Sequence, residues 1–210
     1  VNALPVTFLI DRAGLVGEDG ETHHGVFDVA YLSTVPGMAL WCPASFTELR
    51  EMFHWAVSGE TGPVAVRYPR GGEGEYRESH VEIATVLREG SDVTLVAYGT
   101  MINEVLAAAG QLERRGVSAE VIKLGRICPL EPAPVLASLA KTGRLVVAEE
   151  VCRAGSVGTR LLAEAAGKAA FAYRLLDLGT GIVQQGSTQE LRAAAGIDAR
   201  GIAEAAMELM

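Results

Sequence analysis

Asp11 to Gly25 reads DRAGLVGEDGETHHG, and it leaves directly from Leu4 to Ile10, an apolar run with the character of a buried strand. The segment carries Arg12, Glu18, Asp19, Glu21, His23 and His24 among Gly14, Gly17, Gly20 and Gly25. Glycine has no Cβ, so the backbone can turn tightly there or come close to a ligand. A polar, glycine-punctuated loop at the end of a strand is where α/β proteins usually keep their chemistry. No other stretch combines ionisable groups and glycines so densely, and the rest of the chain is read outward from it.

The flanking sequence supplies the alternation that such a loop requires. Val26 to Ser33 has helical spacing, with Phe27, Ala30 and Tyr31 on one side, until Pro36-Gly37 breaks it. Met38 to Cys42 reads as a short buried strand. Ser45 then caps a helix reaching about Val57, with Glu48 at the capping-box position and Leu49, Met52, Phe53 and Ala56 as its buried stripe. Pro63 to Tyr68 is a strand closed by Pro69-Arg70-Gly71-Gly72. Strand and helix in alternation predict a parallel sheet with crossover helices.

Gly71 to Ser79, polar and rich in glycine, is the best linker, so an α/β unit over residues 1–75 is expected to precede a second over 76–210. In the second, strands are expected at Ala84–Arg88 (an edge), Asp92–Ala97, Ala119–Leu124, Arg144–Glu149 and Tyr173–Leu178. Helices are expected at Ile102–Arg115, Glu131–Lys141, Gly155–Gly167, Ser187–Ala195 and Asp198–Met210, and Ser187-Thr188-Gln189-Glu190 is again a capping-box pattern. The near-continuous apolar strand Asp92–Ala97 is of the kind buried on both faces of a parallel sheet.

Composition sets outer bounds. The 210 residues are 49% hydrophobic and 21% charged, with a mean hydropathy of +0.23, which suits a well-buried core. A formal net charge of −8 argues against binding a nucleic-acid backbone. The cysteines, Cys42, Cys128 and Cys152, are dispersed and form no CxxC pair, so they read as core filler in a reducing cytosol. No apolar run reaches the ~18 residues of a membrane span, and no basic-then-apolar signal opens the chain. Val1 to Pro5 lacks an initiator Met and enters a strand at once, so the chain is expected to be a fragment.

Two constellations carry the chemistry. Asp19 and His23 stand four apart; an imidazole that titrates near neutrality is a natural proton shuttle, and a nearby carboxylate can orient it. The alternative is a pair of solvated residues holding a turn. His23-His24 has no further ligands spaced to make a metal site. Arg12, Arg67 and Arg70 follow two strands whose C-terminal ends share one edge of a parallel sheet, which is where ligands bind. Guanidinium groups grip phosphate oxygens in bidentate fashion, so the cluster suggests a phosphorylated substrate, with ion pairing to Asp11, Glu18 or Glu73 as the alternative. Glu149-Glu150 closes a strand ahead of Gly155 and Gly158. His54 and His80 are isolated. There is no P-loop, no GxGxxG after a strand and no GxSxG elbow.

With these residues in view, DRAGLVGEDGETHHGVFDVAYL followed by GPVAVRYPRG closely resembles the 1-deoxy-D-xylulose-5-phosphate synthase family, thiamine-diphosphate enzymes of the transketolase superfamily. LVVAEE, GSVG and QGSTQEL resemble that family's C-terminal domain, and the similarity covers essentially the whole chain. The resemblance implies the C-terminal half of a pyrimidine-binding domain followed by a transketolase C-terminal-type domain with a mainly parallel sheet. It implies condensation of pyruvate with D-glyceraldehyde 3-phosphate, with loss of carbon dioxide, to supply isoprenoid, thiamine and pyridoxal synthesis. By the same resemblance, Asp19 and His23 match the residues that face the reacting carbon. Arg12 and Arg67 match those that bind the acceptor phosphate, with His24 and Arg70 in support.

The resemblance also shows what is missing. Nothing matches the Gly-Asp-Gly motif that holds magnesium and the cofactor's diphosphate, nor the glutamate and aromatic residue that engage its aminopyrimidine. Thiamine diphosphate and Mg2+ are therefore expected to be bound mainly by an N-terminal portion of the same enzyme. This chain alone is expected to be inactive, and a homodimer in the cytoplasm is expected. A non-catalytic dimerisation or regulatory module is the competing reading, and a thiamine-enzyme subunit of E1β type a weaker one.

Overall fold

The computed structural model describes residues 4–59, 61–168 and 170–210. Its first sheet is built from β1 (Thr7–Ile10), β2 (Ala39–Trp41) and β3 (Val64–Arg67), with α1 (Asp28–Leu32) and α2 (Phe46–Ser58) between them. β3 lies between β1 and β2 and runs parallel to both. All four β3 residues are buried, as expected of VAVR at the centre of a sheet. Met52 and Ala56 of α2 pack on Trp41, Val64 and Val66.

Several local expectations change. β1 is an edge strand, and Leu4, Val6, Phe8 and Leu9 are exposed rather than buried. In α1 the face carrying Phe27 and Tyr31 meets solvent, while Val29 and Leu32 turn inward. In α2 Phe53 is exposed, and Glu48, expected only as a cap, is fully buried. Ser45 does accept the Glu48 N–H at 3.1 Å. The Glu48 carboxylate, however, accepts from the Ala44 N–H at 2.8 Å instead of completing a capping box.

The second sheet is formed by β4 (Ala84–Arg88), β5 (Val93–Tyr98), β6 (Ala119–Leu124), β8 (Arg144–Ala148) and β9 (Ala172–Leu176), in the order β4-β6-β5-β8-β9. Only β4 is antiparallel to its neighbour. Alternate residues of the buried strand β5 serve two cores. Val93, Leu95 and Ala97 pack with α3 (Ile102–Glu113) and α7 (Ala199–Met207). Val96 and Tyr98 pack with α4 (Ala133–Thr142) and α5 (Val157–Ala165). α6 (Thr188–Ala195) starts with the expected capping box, Ser187 and Glu190 bonding each other's backbone N–H.

The missed element is β7 (Arg126–Cys128), which leaves the second unit and pairs antiparallel with β2, completing the first sheet. Three residues bounded by Gly125 and Pro129 give too short a pattern to read. As a result the second core cluster also contains Val29, Met38, Leu40, Cys42 and Ala65 of the first unit. A buried ion pair reinforces the join: Lys123 Nζ lies 3.0 Å from Glu48 Oε1, with neither side chain exposed. Glu48 Oε1 also accepts from the Tyr76 hydroxyl at 2.9 Å and the His80 N–H at 3.1 Å, so the linker is drawn into the same knot. No helix among the described residues is long and apolar enough to cross a membrane.

Candidate functional site

The glycine-rich loop begins where β1 ends. The Ala13 N–H donates to Tyr68 O, and Gly14 and Gly25 exchange N–H···O bonds of 2.8 and 2.9 Å, closing residues 14–25 into a loop. Arg12, which precedes this closure, has φ of +58°, the single non-glycine residue with positive φ among the described residues. That conformation is strained for an L-residue and occurs where surrounding contacts impose it.

Three of the expected residues converge. Asp19, on a single 3-10 turn, accepts from Arg12 Nε at 3.2 Å and from Arg70 Nη1 at short range. The two arginine side chains are 47% and 53% exposed, so their guanidinium groups are open to solvent while sharing one carboxylate. The hydrogen bond from Arg70, opposed by slight burial and aided by Arg12, holds the Asp19 carboxyl below its ordinary range. A ligand anion competing for the same two guanidinium groups would take the place that Asp19 fills.

His23 is exposed at the loop tip, with Nδ1 3.1 Å from Thr22 Oγ1. Asp19 does not orient it, because that carboxylate is engaged by the arginines. His24 is buried and does different work. Its Nδ1 accepts from the Val16 N–H and its Nε2 donates to Gln184 O, both at 3.2 Å, which tie the loop to the second unit. Among the described residues no three His, Cys, Asp or Glu side chains converge as metal ligands.

Arg67, expected as a phosphate ligand, is only 6% exposed and points inward. Its Nε donates to Asp28 Oδ2 at 2.7 Å, and its Nη2 donates to Gly25 O at 3.0 Å and Glu150 O at 3.4 Å. Burial alone would lower this guanidinium, but the neighbouring Asp28 carboxylate holds it above its ordinary value. Arg67 therefore braces the base of the loop, and Arg70 is the exposed partner of Arg12. The strand register contains that signal: Arg67 is the last residue of a fully buried strand, whereas Arg70 follows Pro69 into the turn.

The second unit supplies residues that sequence reasoning did not connect to the loop. Glu150 Oε2 accepts from the Leu15 N–H at 3.3 Å, and Arg192 Nε donates to Glu150 Oε1 at 2.5 Å. Leu15, Arg70, Glu104, Glu150 and Arg192 line one cleft of about 390 Å³ between the loop and the second unit. Contacts across 135 residues of chain have no local sequence pattern to announce them.

Two family descriptions match the chain: transketolase, C-terminal domain, over residues 83–202, and transketolase, pyrimidine binding domain, over residues 1–73. It is similar to the 1-deoxy-D-xylulose-5-phosphate synthase 1 of Geobacter sulfurreducens, with 41% identity over 96% of this chain and 33% of that protein. It is also similar to the 1-deoxy-D-xylulose-5-phosphate synthase of Thermomicrobium roseum, with 44% identity over 97% of this chain and 33% of that protein. The chain thus spans about a third of the length of the curated relatives it matches. Among solved structures it is similar to a split-gene transketolase described as an inactive beta4 tetramer, at a TM-score of 0.83 and 28% identity. That match covers 97% of this chain and 66% of the other. A transketolase mutant from Pichia stipitis shares the fold at a TM-score of 0.76 and 19% identity, over 99% of this chain and 30% of that one.

Proposed function

Because this chain belongs to the transketolase family, we propose that it is a segment of a 1-deoxy-D-xylulose-5-phosphate synthase, acting in the condensation of pyruvate with D-glyceraldehyde 3-phosphate with loss of carbon dioxide. The observation that carries this reading is the exposed Arg12–Asp19–Arg70 cluster on a loop that also presents His23. Arg12 and Arg70, rather than Arg67, grip the acceptor phosphate, displacing Asp19 from one or both guanidinium groups. His23 exchanges protons with bound substrate, and Asp19, once displaced, sits beside it as a second polar group facing the reacting centre. Residues 1–75 act as the second half of a pyrimidine-binding domain and residues 76–210 as the C-terminal domain.

Thiamine diphosphate and magnesium belong to this reading through the family, and among the described residues no three His, Cys, Asp or Glu side chains converge to hold the metal. The loop presents guanidinium groups and no converging set of metal ligands. The diphosphate and the metal are assigned mainly to an N-terminal portion of the same enzyme, as the family resemblance implies, and without that portion this chain is inactive. The apolar edge formed by Leu4, Phe8 and Leu9 supports association with that portion and with a second copy, and the cytoplasm is the location we propose for the assembly. Supply of isoprenoid, thiamine and pyridoxal precursors follows from the product.

Calorimetric titration of thiamine diphosphate with magnesium into this chain, alone and with the N-terminal portion added, tests the reading. No binding alone, but binding and turnover in the mixture, is expected. Tight binding by the chain alone, or a mixture that binds cofactor without forming the product, would overturn it.

A further inference from the structure

The two glutamates that close β8 do separate jobs. Glu149 is buried at the start of α5, where it accepts from the Tyr98 hydroxyl at 2.8 Å, the Val157 N–H at 2.9 Å and the Gly158 N–H at 2.8 Å. Those bonds are internal to the second unit. Glu150 faces the other way, onto the loop. One of its carboxylate oxygens holds the Leu15 N–H and the other is held by Arg192. Arg192 in turn donates through Nη1 to Glu104 Oε1 at 3.0 Å, and Glu104 Oε2 accepts from the Ala199 N–H at 2.9 Å, at the first turn of α7. A continuous line of charge-assisted bonds therefore runs from α7 through α3 and α6 to the backbone of the loop.

The loop is moulded against this carboxylate. Gly14 has φ of +73°, and a Cβ there would collide with Glu150 Oε2. The same unit holds the loop elsewhere: His24 bonds Gln184 O, Gln185 Nε2 donates to Glu18 O at 3.3 Å, and the Cys152 N–H donates to Val26 O at 2.9 Å. None of these atoms belongs to the side chains of Arg12, Asp19 or His23. They fix the backbone from which those side chains project, and Leu15 lies midway between Arg12 and Asp19. Burial alone would lower the Arg192 guanidinium, but Glu150 and Glu104 hold it above its ordinary value, so it stays charged.

We propose that Glu150, oriented by Arg192, is a positioning residue that sets the spacing of the Arg12–Asp19–Arg70 cluster and thereby the affinity for the phosphorylated acceptor. This rests on the phosphate role assigned above to that cluster. It gives the second unit a part in the reaction although it contributes no side chain to the cluster. Misplacement of such a group by a fraction of an ångström is enough to weaken a two-point grip on phosphate.

The test compares wild type, R192A, R192K and the exposed-surface control R200A in the complete enzyme, this chain joined to its N-terminal portion. R192A is expected to raise KM for glyceraldehyde 3-phosphate about tenfold while KM for pyruvate stays within about twofold. R192K, which keeps the charge but loses the fork, recovers part of the loss. Hydrogen exchange on the same proteins is expected to show amides 13–19 opening about tenfold faster in R192A, with β5 and α3 unchanged. Equal effects on both KM values, loop exchange that does not change, or faster exchange spread over the whole second unit would each overturn the proposal. If wild type makes no product, the functional reading fails, and the exchange comparison then decides positioning by itself.

Discussion

Lys123 Nζ and Glu48 Oε1 lie 3.0 Å apart with both side chains sealed from solvent, one on the central sheet of the second unit and the other on a helix of the first. A charge removed from water survives only if it is paired and its remaining lone pairs are used. Here they are: Lys123 also donates to His80 O at 2.8 Å, and Glu48 accepts from Tyr76, His80 and Ala44. K123M should therefore leave a buried, uncompensated carboxylate and cost about 3–5 kcal/mol of unfolding free energy, read by urea denaturation. R200A, which removes an exposed pair with Glu204, should be indistinguishable from wild type in the same assay.

Arg67 and Arg70, three residues apart, should fail in different ways. R67A strands the buried Asp28 carboxylate and should destabilise the fold by about 3–5 kcal/mol in the same denaturation assay. R70A removes an exposed side chain and should unfold like wild type. It should nonetheless bind inorganic phosphate about tenfold more weakly in a calorimetric titration, since one of two guanidinium groups is lost. A stable R67A protein with impaired phosphate binding would reverse the two assignments.

Asp19 should report the state of the cluster through its titration. Its carboxyl is held below the usual range by Arg70 first and then by Arg12, so the folded state binds its proton less tightly than the unfolded chain does. Its contribution to stability is then present above the unfolded value of about 4 and is lost as pH falls through the lower folded value. Following the Asp19 side-chain carboxyl by NMR, the midpoint should move upward in R70A and less so in R12A. Added phosphate should also move it upward, by occupying the arginines.

Cys42 should be chemically silent in the native protein. Burial, which outweighs the nearby Arg67, pushes its thiol up to about 12. Native alkylation at pH 8, followed by mass mapping, should leave Cys42 unmodified and label it only after denaturation. Modification of Cys42 at the rate of a free thiol would show that the shared core opens far more readily than its packing implies.

Much of the fold was legible because its signals are local. VAVR and DVTLVA announce strands by their apolar, β-branched composition, whereas the burial of Glu120 and Lys123 in AEVIKL is not announced by theirs, and Ser45 and Ser187 mark helix starts by side chains that bond within a turn. The exposed edge of β1 and the outward face of α1 were not legible, since apolar residues at the right period look the same whether or not a partner covers them. The site divided along the same line. Arg12, Asp19, His23 and Arg70 stand out because glycines and charge surround them in sequence. That Arg67 turns inward to Asp28, and that Glu150 and Arg192 reach the loop, depends on pairings across 39, 135 and 42 positions of chain, and no periodicity encodes those.

The three-residue strand β7 has a reach out of proportion to its length. Because it returns from the second unit to finish the first sheet, a cut in the linker near residue 75 would not release two intact halves. The upstream piece would lose an edge of its sheet and one wall of its core, and the downstream piece would carry a strand with nothing to pair with. A break in the visible linker is therefore expected to leave two pieces that hold their folds only by reassociating through β7, so the linker is a seam in the sequence and not in the structure.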